Sequence, residues 1–278
     1  MLPFFMDTRP IGIFDSGIGG LTVANAIRKA LPNESLVYFG DTAHLPYGDK
    51  SPELIRHYSA RIAHFLLQHN CKMVVIACNT ASSHAHETVD AVAGPDIPVV
   101  NVIDPVVEEI VLRHTKKKVG IIGTKGTIDS KVYPKRIKKL NKQARVSSLA
   151  TPLLAPMIEE GFVSNSISKT VINSYLEKPI LKGVQAIVLG CTHYPLIKKQ
   201  VSAYYGKEVA ILDSPSLVAK EVKQLLAVND LAASSHHEPT FHFMVSDKTD
   251  SFERSTRLFF KERISLEEVK MWDSPRPI

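Results

Sequence analysis

The chain has 278 residues, 44% of them hydrophobic and 22% charged, which suits one large globular domain or two of ordinary size. Its three cysteines, Cys71, Cys78 and Cys191, include no CxxC pair, which argues against a disulfide framework, a zinc site or a redox dithiol and for a reducing, cytoplasmic setting. The net charge of +6 gathers in Lys116-Lys117-Lys118 and between Lys131 and Arg145, and with only Tyr133 as an aromatic platform this reads as a solvated helix face, not a nucleic-acid surface. No apolar run approaches the ~20 residues of a membrane span. Met1-Leu2-Pro3-Phe4-Phe5-Met6 has no basic start and no cleavage site, so it does not read as a signal peptide.

Strand and helix patterns then alternate along the chain, which predicts a mainly parallel sheet architecture. Pro10 to Phe14 is a first strand, and Asp15-Ser16-Gly17-Ile18-Gly19-Gly20 opens a helix to about Leu31. Leu36 to Phe39 is a second strand, ending in the polar loop Gly40 to Gly48, and an amphipathic helix covers about Ser51 to His69. The strand that delivers Cys78 follows, then a helix through the eighties and a strand at Val99 to Ile103. Asp104-Pro105 has the form of an N-cap followed by proline at the first helical position. Lys118 to Ile122 is the next strand, closed by Gly123-Thr124-Lys125-Gly126-Thr127. After the basic helix come a short strand near Val146 to Leu149 and helical patterns around Leu153 to Glu160 and Ile167 to Leu176. Beyond the strand that carries Cys191, Pro195 and Ser214-Pro215 mark helix starts on either side of a strand at Val209 to Leu212. Thr240 to Val245 and Asp250 to Lys261 supply the last strand and helix.

Two of these strands end alike. Met73-Val74-Val75-Ile76-Ala77-Cys78-Asn79-Thr80 and Ala186-Ile187-Val188-Leu189-Gly190-Cys191-Thr192-His193 are each an apolar β-branched run, a small residue, a cysteine and a polar pair. Such runs are buried parallel strands, and open α/β sheets bind ligands beyond the carboxyl ends of their strands. A helix start beside each sulfur is expected to lower the thiol pKa. The repetition extends further: Gly12-Ile13-Phe14-Asp15-Ser16-Gly17 matches Gly120-Ile121-Ile122-Gly123-Thr124-Lys125, with 64 residues from Phe14 to Cys78 and 69 from Ile122 to Cys191. The fold class predicted is therefore α/β, with two similar open parallel-sheet domains related by a pseudo-twofold axis. Residues 1–102 plus 211–278 would form the first and 103–210 the second, with the cysteines facing each other across the cleft.

Opposed identical groups suit inversion of a tetrahedral carbon, because one removes a proton from one face while the other supplies a proton to the opposite face. Cysteine, with a reference pKa near ~8.5, reaches both protonation states more readily at neutral pH than a carboxylate does. The developing carbanion must also be held and stabilised electrostatically. Hydroxyls, amides and helix starts at residues 15–20, 41–48, 79–80, 124–127 and 192–193 are placed to do so.

The segments Asp15-Ser16-Gly17-Ile18-Gly19-Gly20-Leu21, Gly40-Asp41 with Pro46-Tyr47-Gly48, Ala77-Cys78-Asn79-Thr80-Ala81, Pro156-Met157-Ile158-Glu159-Glu160-Gly161 and Gly190-Cys191-Thr192-His193-Tyr194-Pro195 together resemble the glutamate racemases, over roughly residues 10 to 215. The resemblance implies interconversion of L- and D-glutamate without cofactor or metal, supplying D-glutamate for bacterial peptidoglycan. It implies that Cys78 deprotonates D-glutamate and Cys191 deprotonates L-glutamate. Asp15 would assist the first thiol, and Glu159 (or its neighbour Glu160) with His193 the second. It further implies that Asp15, Ser16, Tyr47, Gly48, Asn79, Thr80, Thr124, Thr127, Thr192 and His193 bind the substrate. Ala150-Thr151-Pro152 departs from the pattern, since many members have a cysteine before the proline. Glutamate is the partner implied, with no nucleic acid or membrane, and a homodimer is compatible with it.

Rival readings exist for several of these features. The glycines at 17–20 would make a dinucleotide fingerprint only with a third glycine where Thr22 stands. A thiol hydrolase would pair one cysteine with a histidine and leave the second unexplained. A silent amino-acid binding module would show affinity without turnover. Cys71 reads as structural, and His84 with His86 or His236 with His237 lack the partners of a metal site.

Overall fold

In the computed structural model, which describes residues 7–273, the alternating patterns resolve into two wholly parallel sheets. The amino-terminal hexapeptide considered above as a leader lies outside the described residues. The first half runs β1 (Ile11–Asp15), α1 (Leu21–Ala30), β2 (Leu36–Gly40), α2 (Pro52–Gln68), β3 (Met73–Ile76), α3 (Asn79–Ala93) and β4 (Val99–Asn101). The second runs α4 (Asp104–Arg113), β5 (Lys118–Gly123), α5 (Lys125–Asp129), α6 (Val132–Leu140), β6 (Arg145–Ala150), α7 (Leu154–Glu159), α8 (Ser166–Leu176), β7 (Ala186–Gly190), α9 (Lys198–Tyr205) and β8 (Ala210–Leu212). The chain then returns through α10 (Pro215–Val228), β9 (Phe241–Val245), α11 (Asp250–Phe260) and β10 (Glu267–Glu268).

Strand order is β10-β9-β2-β1-β3-β4 in one sheet and β6-β5-β7-β8 in the other. The unit β2-β1-β3-β4 and the unit β6-β5-β7-β8 therefore share one topology, and the duplication extends to register. Phe14 pairs with Ile76 and Ile122 with Leu189. Each cysteine lies two residues beyond that partner. β1 and β3 are buried on both faces, and their side chains divide by the two-residue period of a strand: Ile11, Ile13, Met73 and Val75 join one core cluster, Phe14, Val74 and Ile76 another. The first cluster continues through Val119, Ile121 and Ile187 of the second sheet, so one apolar core runs under both domains.

Five details differ from the sequence reading. Ile211 and Leu212 pair with Ile187 and Val188 in the second sheet, so the crossing back to the first sheet follows residue 212 and not residue 210. At α4 the N-cap is Ile103, with no side-chain cap; the Asn101 Oδ1 accepts from the N–H groups of Ile103 and Asp104 at 2.9 and 3.0 Å, and Asp104 is the first helical residue and the partner of Arg136. Ser214 precedes α10 without capping it by its side chain, and Pro195 opens a 3-10 turn (Tyr194–Ile197) before α9. Finally, β10 extends the first sheet parallel to β9; two exposed glutamates carry no strand pattern. Among the described residues no helix is long and apolar enough to cross a membrane.

Candidate active site

β1 delivers Asp15 and Ser16 to its carboxyl end, and β3 delivers Cys78 beside them. Cys78 is the N-cap of α3, its sulfur 3.4 Å from the Ala81 N–H and 3.7 Å from the Ser16 hydroxyl. Asp15 is fully buried beneath it. One of its oxygens accepts from Gly17 and Gly20 N–H at 3.3 and 2.9 Å, while the other has no partner. Gly20 must lack a side chain, because a Cβ there would stand 2.6 Å from that of Asp15.

In the second domain β7 delivers Cys191. The His193 Nδ1 lies 3.6 Å from its sulfur, and the His193 Nε2 lies 2.8 Å from the Glu159 carboxylate at the end of α7. Glu159 is thus the acid that reaches the histidine, and Glu160 is exposed. Asp15 has no counterpart in this domain: its register equivalent is Gly123, where a Cβ would stand 3.0 Å from the Gly190 carbonyl oxygen.

The domains meet through glycines and hydroxyls. A Cβ on Gly19 would strike the His193 ring at 2.4 Å, and one on Gly48 would come within 2.9 Å of Thr124. Thr80 Oγ1 lies 2.9 Å from Thr124 Oγ1 and 3.3 Å from Thr127 Oγ1. Between them is a cavity of about 60 Å³, room for a few waters at ~10–15 Å³ each or the core of one small solute. Cys78 and Cys191 both line it, with Ser16, Tyr47, Gly48, Asn79, Thr80, Thr124, Glu159, Thr192 and His193. Of the residues singled out in the sequence, Asp15 and Thr127 stand behind the wall, Asp15 under Cys78 and Thr127 bonded to Thr80 and Thr124. Among the described residues no group of three or more His, Cys, Asp or Glu side chains is arranged to hold a metal.

The electrostatics overturn one expectation. The Cys78 thiol is pushed up to about 12, first by burial, then by the Asp15 carboxylate, with the Cys191 sulfur a smaller contribution. The Ala81 N–H and the Ser16 hydroxyl act in the opposite direction and do not compensate. Lost hydration of a thiolate outweighs one helix end. Burial raises Asp15 as well, against the pull of His193 and the Gly20 and Gly17 N–H groups. For His193, burial opposes protonation, yet the Cys191 thiolate and the Glu159 carboxylate hold its pKa well above the ordinary histidine value.

A family model for Asp/Glu/Hydantoin racemase matches residues 21–222. The chain belongs to this family. It is 43% identical to the glutamate racemase of Geobacter metallireducens, over 90% of this chain and 92% of that relative. With the glutamate racemase of Streptococcus pyogenes it shares 37%, over 96% and 100%. The crystal structure of the Francisella tularensis glutamate racemase in complex with D-glutamate superposes with a TM-score of 0.89 at 38% identity, covering 97% of this chain and 100% of that one. The Thermus thermophilus glutamate racemase, in complex with β-chloro-D-alanine, gives 0.84 at 36%, over 95% and 98%.

Several residues that shape this cleft were not among the candidate site residues of the sequence. Tyr133 donates to Asn79 Oδ1 at 2.8 Å, and Thr22 donates to the Thr192 carbonyl at 3.0 Å. Thr22 therefore ties the domains together at the position where a dinucleotide fold would need glycine. Tyr38 donates to the Gly17 carbonyl at 2.8 Å. Thr151, at the departure from the family pattern, is buried and bonded to Tyr194 at 2.8 Å.

Proposed function

We propose that this protein is a glutamate racemase, an isomerase that removes the α-proton of glutamate with one thiolate and returns a proton from the opposite thiol. The observation that carries the reading is that Cys78 and Cys191, at matched positions of two repeated sheets, line one cavity. Cys78 acts on D-glutamate and Cys191 on L-glutamate. The α-proton is far less acidic than a thiol, so burial and Asp15, which make the Cys78 thiolate scarce, also make it a stronger base once formed. The substrate ammonium supplies positive charge that favours the thiolate on entry. Asp15 acts through Cys78, and Thr127 through Thr80 and Thr124, since neither lines the cavity.

On the other side, His193 and Glu159 hold a proton beside the Cys191 sulfur, ready to follow charge as it moves on and off that thiol. Ser16, Tyr47, Gly48, Asn79, Thr80, Thr124 and Thr192, already placed around the cavity, hold the carboxylates and the ammonium by hydrogen bonds. A cytoplasmic location, supply of D-glutamate for peptidoglycan and assembly as a homodimer belong to the same proposal.

The test is incubation of D-glutamate with the purified protein in heavy water, without added cofactor, followed by NMR at the α-position. Racemisation with deuterium uptake is the expected result; no exchange from either enantiomer would overturn the reading. A second reading, a thiol hydrolase, is favoured by the line Cys191–His193–Glu159 but leaves Cys78 without a task. It predicts cleavage of glutamate esters or amides and no α-exchange.

A further inference from the structure

The loop that carries Tyr47 is seated by the far end of the chain. β2 ends at Gly40, paired with Val245 at the end of β9, so Asp41 and Ser246 leave the sheet side by side. Asp41 is fully buried. Its two oxygens accept from four side chains: the Tyr47 hydroxyl at 2.7 Å, His44 Nδ1 at 3.0 Å, the Ser246 hydroxyl at 2.8 Å and Trp272 Nε1 at 2.9 Å. Two of these donors lie in the loop, and two come from the returning segment. β10 brings that segment along β9, where the Val269 N–H donates to the Val245 carbonyl at 2.9 Å. Trp272 then packs edge-on against His44, with ring centres 4.5 Å apart, and the Arg61 guanidinium lies 4.8 Å from the indole centre.

We propose that Asp41 is a positioning residue for substrate binding, and that Trp272, through Asp41, sets the Pro46-Tyr47-Gly48 wall of the cavity. This rests on the racemase reading. Pro46, Tyr47 and Gly48 line the cavity, while Asp41 and Trp272 do not. A buried carboxylate is fixed by its donors, and removing one frees it to pull the others out of place. The two thiols arrive on β3 and β7, away from this seat, so loosening it weakens substrate binding and leaves proton transfer intact.

The experiment is steady-state racemisation of D-glutamate by the full chain and two variants. Trp272→Phe keeps a ring against His44 and loses the N–H; Trp272→Ala loses both. Trp272→Phe should raise KM about threefold to tenfold and keep kcat within about twofold of the unmodified protein, and Trp272→Ala should raise KM further. Ser246→Ala, which removes another donor from the same carboxylate, should also raise KM alone, and it replaces Trp272→Ala should that variant not fold. Trp272 is the single tryptophan of the chain, so its emission maximum should shift in Asp41→Asn. Unchanged KM in Trp272→Phe, a fall in kcat at constant KM, or unchanged emission in Asp41→Asn would overturn the proposal while leaving the racemase reading standing. No turnover by the unmodified protein would overturn both.

Discussion

The two halves of the molecule present the same atom, a cysteine sulfur, from the same strand position and surround it differently. In the first, the charge lies beneath the sulfur: Asp15, buried at the end of the neighbouring strand, raises the thiol pKa. In the second that strand position is Gly123, where a Cβ would stand in a tight contact of 3.0 Å with the Gly190 carbonyl oxygen. Charge arrives from the loop after the cysteine, as His193 backed by Glu159. A duplicated unit thus keeps topology and register, while the two thiols have been given opposite partners, an anion and a proton-holding imidazole. Under the two-thiol mechanism proposed above, such asymmetry suits sulfurs that hold different protonation states when substrate binds.

The most drastic way to break the comparison is to remove either sulfur. Cys78→Ala and Cys191→Ala should each lower racemisation by about 10²-fold or more, with far-UV circular dichroism unchanged; substantial turnover by one of them would mean the halves do not act as a pair. Removing the partners sharpens it. His193→Asn and Asp15→Asn should each reduce kcat/KM by about tenfold or more, equally in both directions, because the enantiomers have equal free energy. The α-deuterium isotope effect should tell them apart, growing for L-glutamate in His193→Asn and for D-glutamate in Asp15→Asn. Identical changes for both enantiomers would erase the distinction drawn here.

A smaller effect concerns the free thiol. With Cys78 raised to about 12, its alkylation by iodoacetamide should climb steadily through pH 9 without a plateau. Asp15→Asn removes an anion that opposes the thiolate, so the rate at pH 8 should rise. The smallest effect is on stability. The Asp15 pKa is higher folded than unfolded, so its contribution to stability is fully present below the unfolded value near ~3.8 and is lost as pH rises through the folded one. Asp15→Asn should therefore raise Tm at pH 8, by about 2–4 °C for each ~1 kcal/mol gained, and the gain should shrink towards pH 4. A lower Tm at pH 8 would show that the Gly17 and Gly20 N–H groups already satisfy the charge.

What the sequence by itself determined is what local pattern encodes. Apolar runs at Met73 to Ile76 and Ala186 to Leu189, a small residue and then cysteine specify buried strands with a thiol at the rim, because period and burial are properties of a few consecutive residues. The repeat made the plan of two parallel sheets, each with a cysteine just past a strand end, legible for the same reason. Only the tertiary structure decided the surroundings of those sulfurs. Tyr133 meets Asn79, Thr22 meets Thr192 and Trp272 meets Asp41 across 54, 170 and 231 residues of chain, and no window of sequence contains both members. The direction of the Cys78 shift was misjudged on the same ground: a helix start is local and visible, whereas desolvation depends on everything packed around the atom. β10 went unread because Glu267 and Glu268 pair through their backbone alone, and α4 starts one residue earlier than Asp104-Pro105 suggests, with Ile103 at its N-cap, because the Asn101 side chain turns the chain there by accepting from the Ile103 and Asp104 N–H groups.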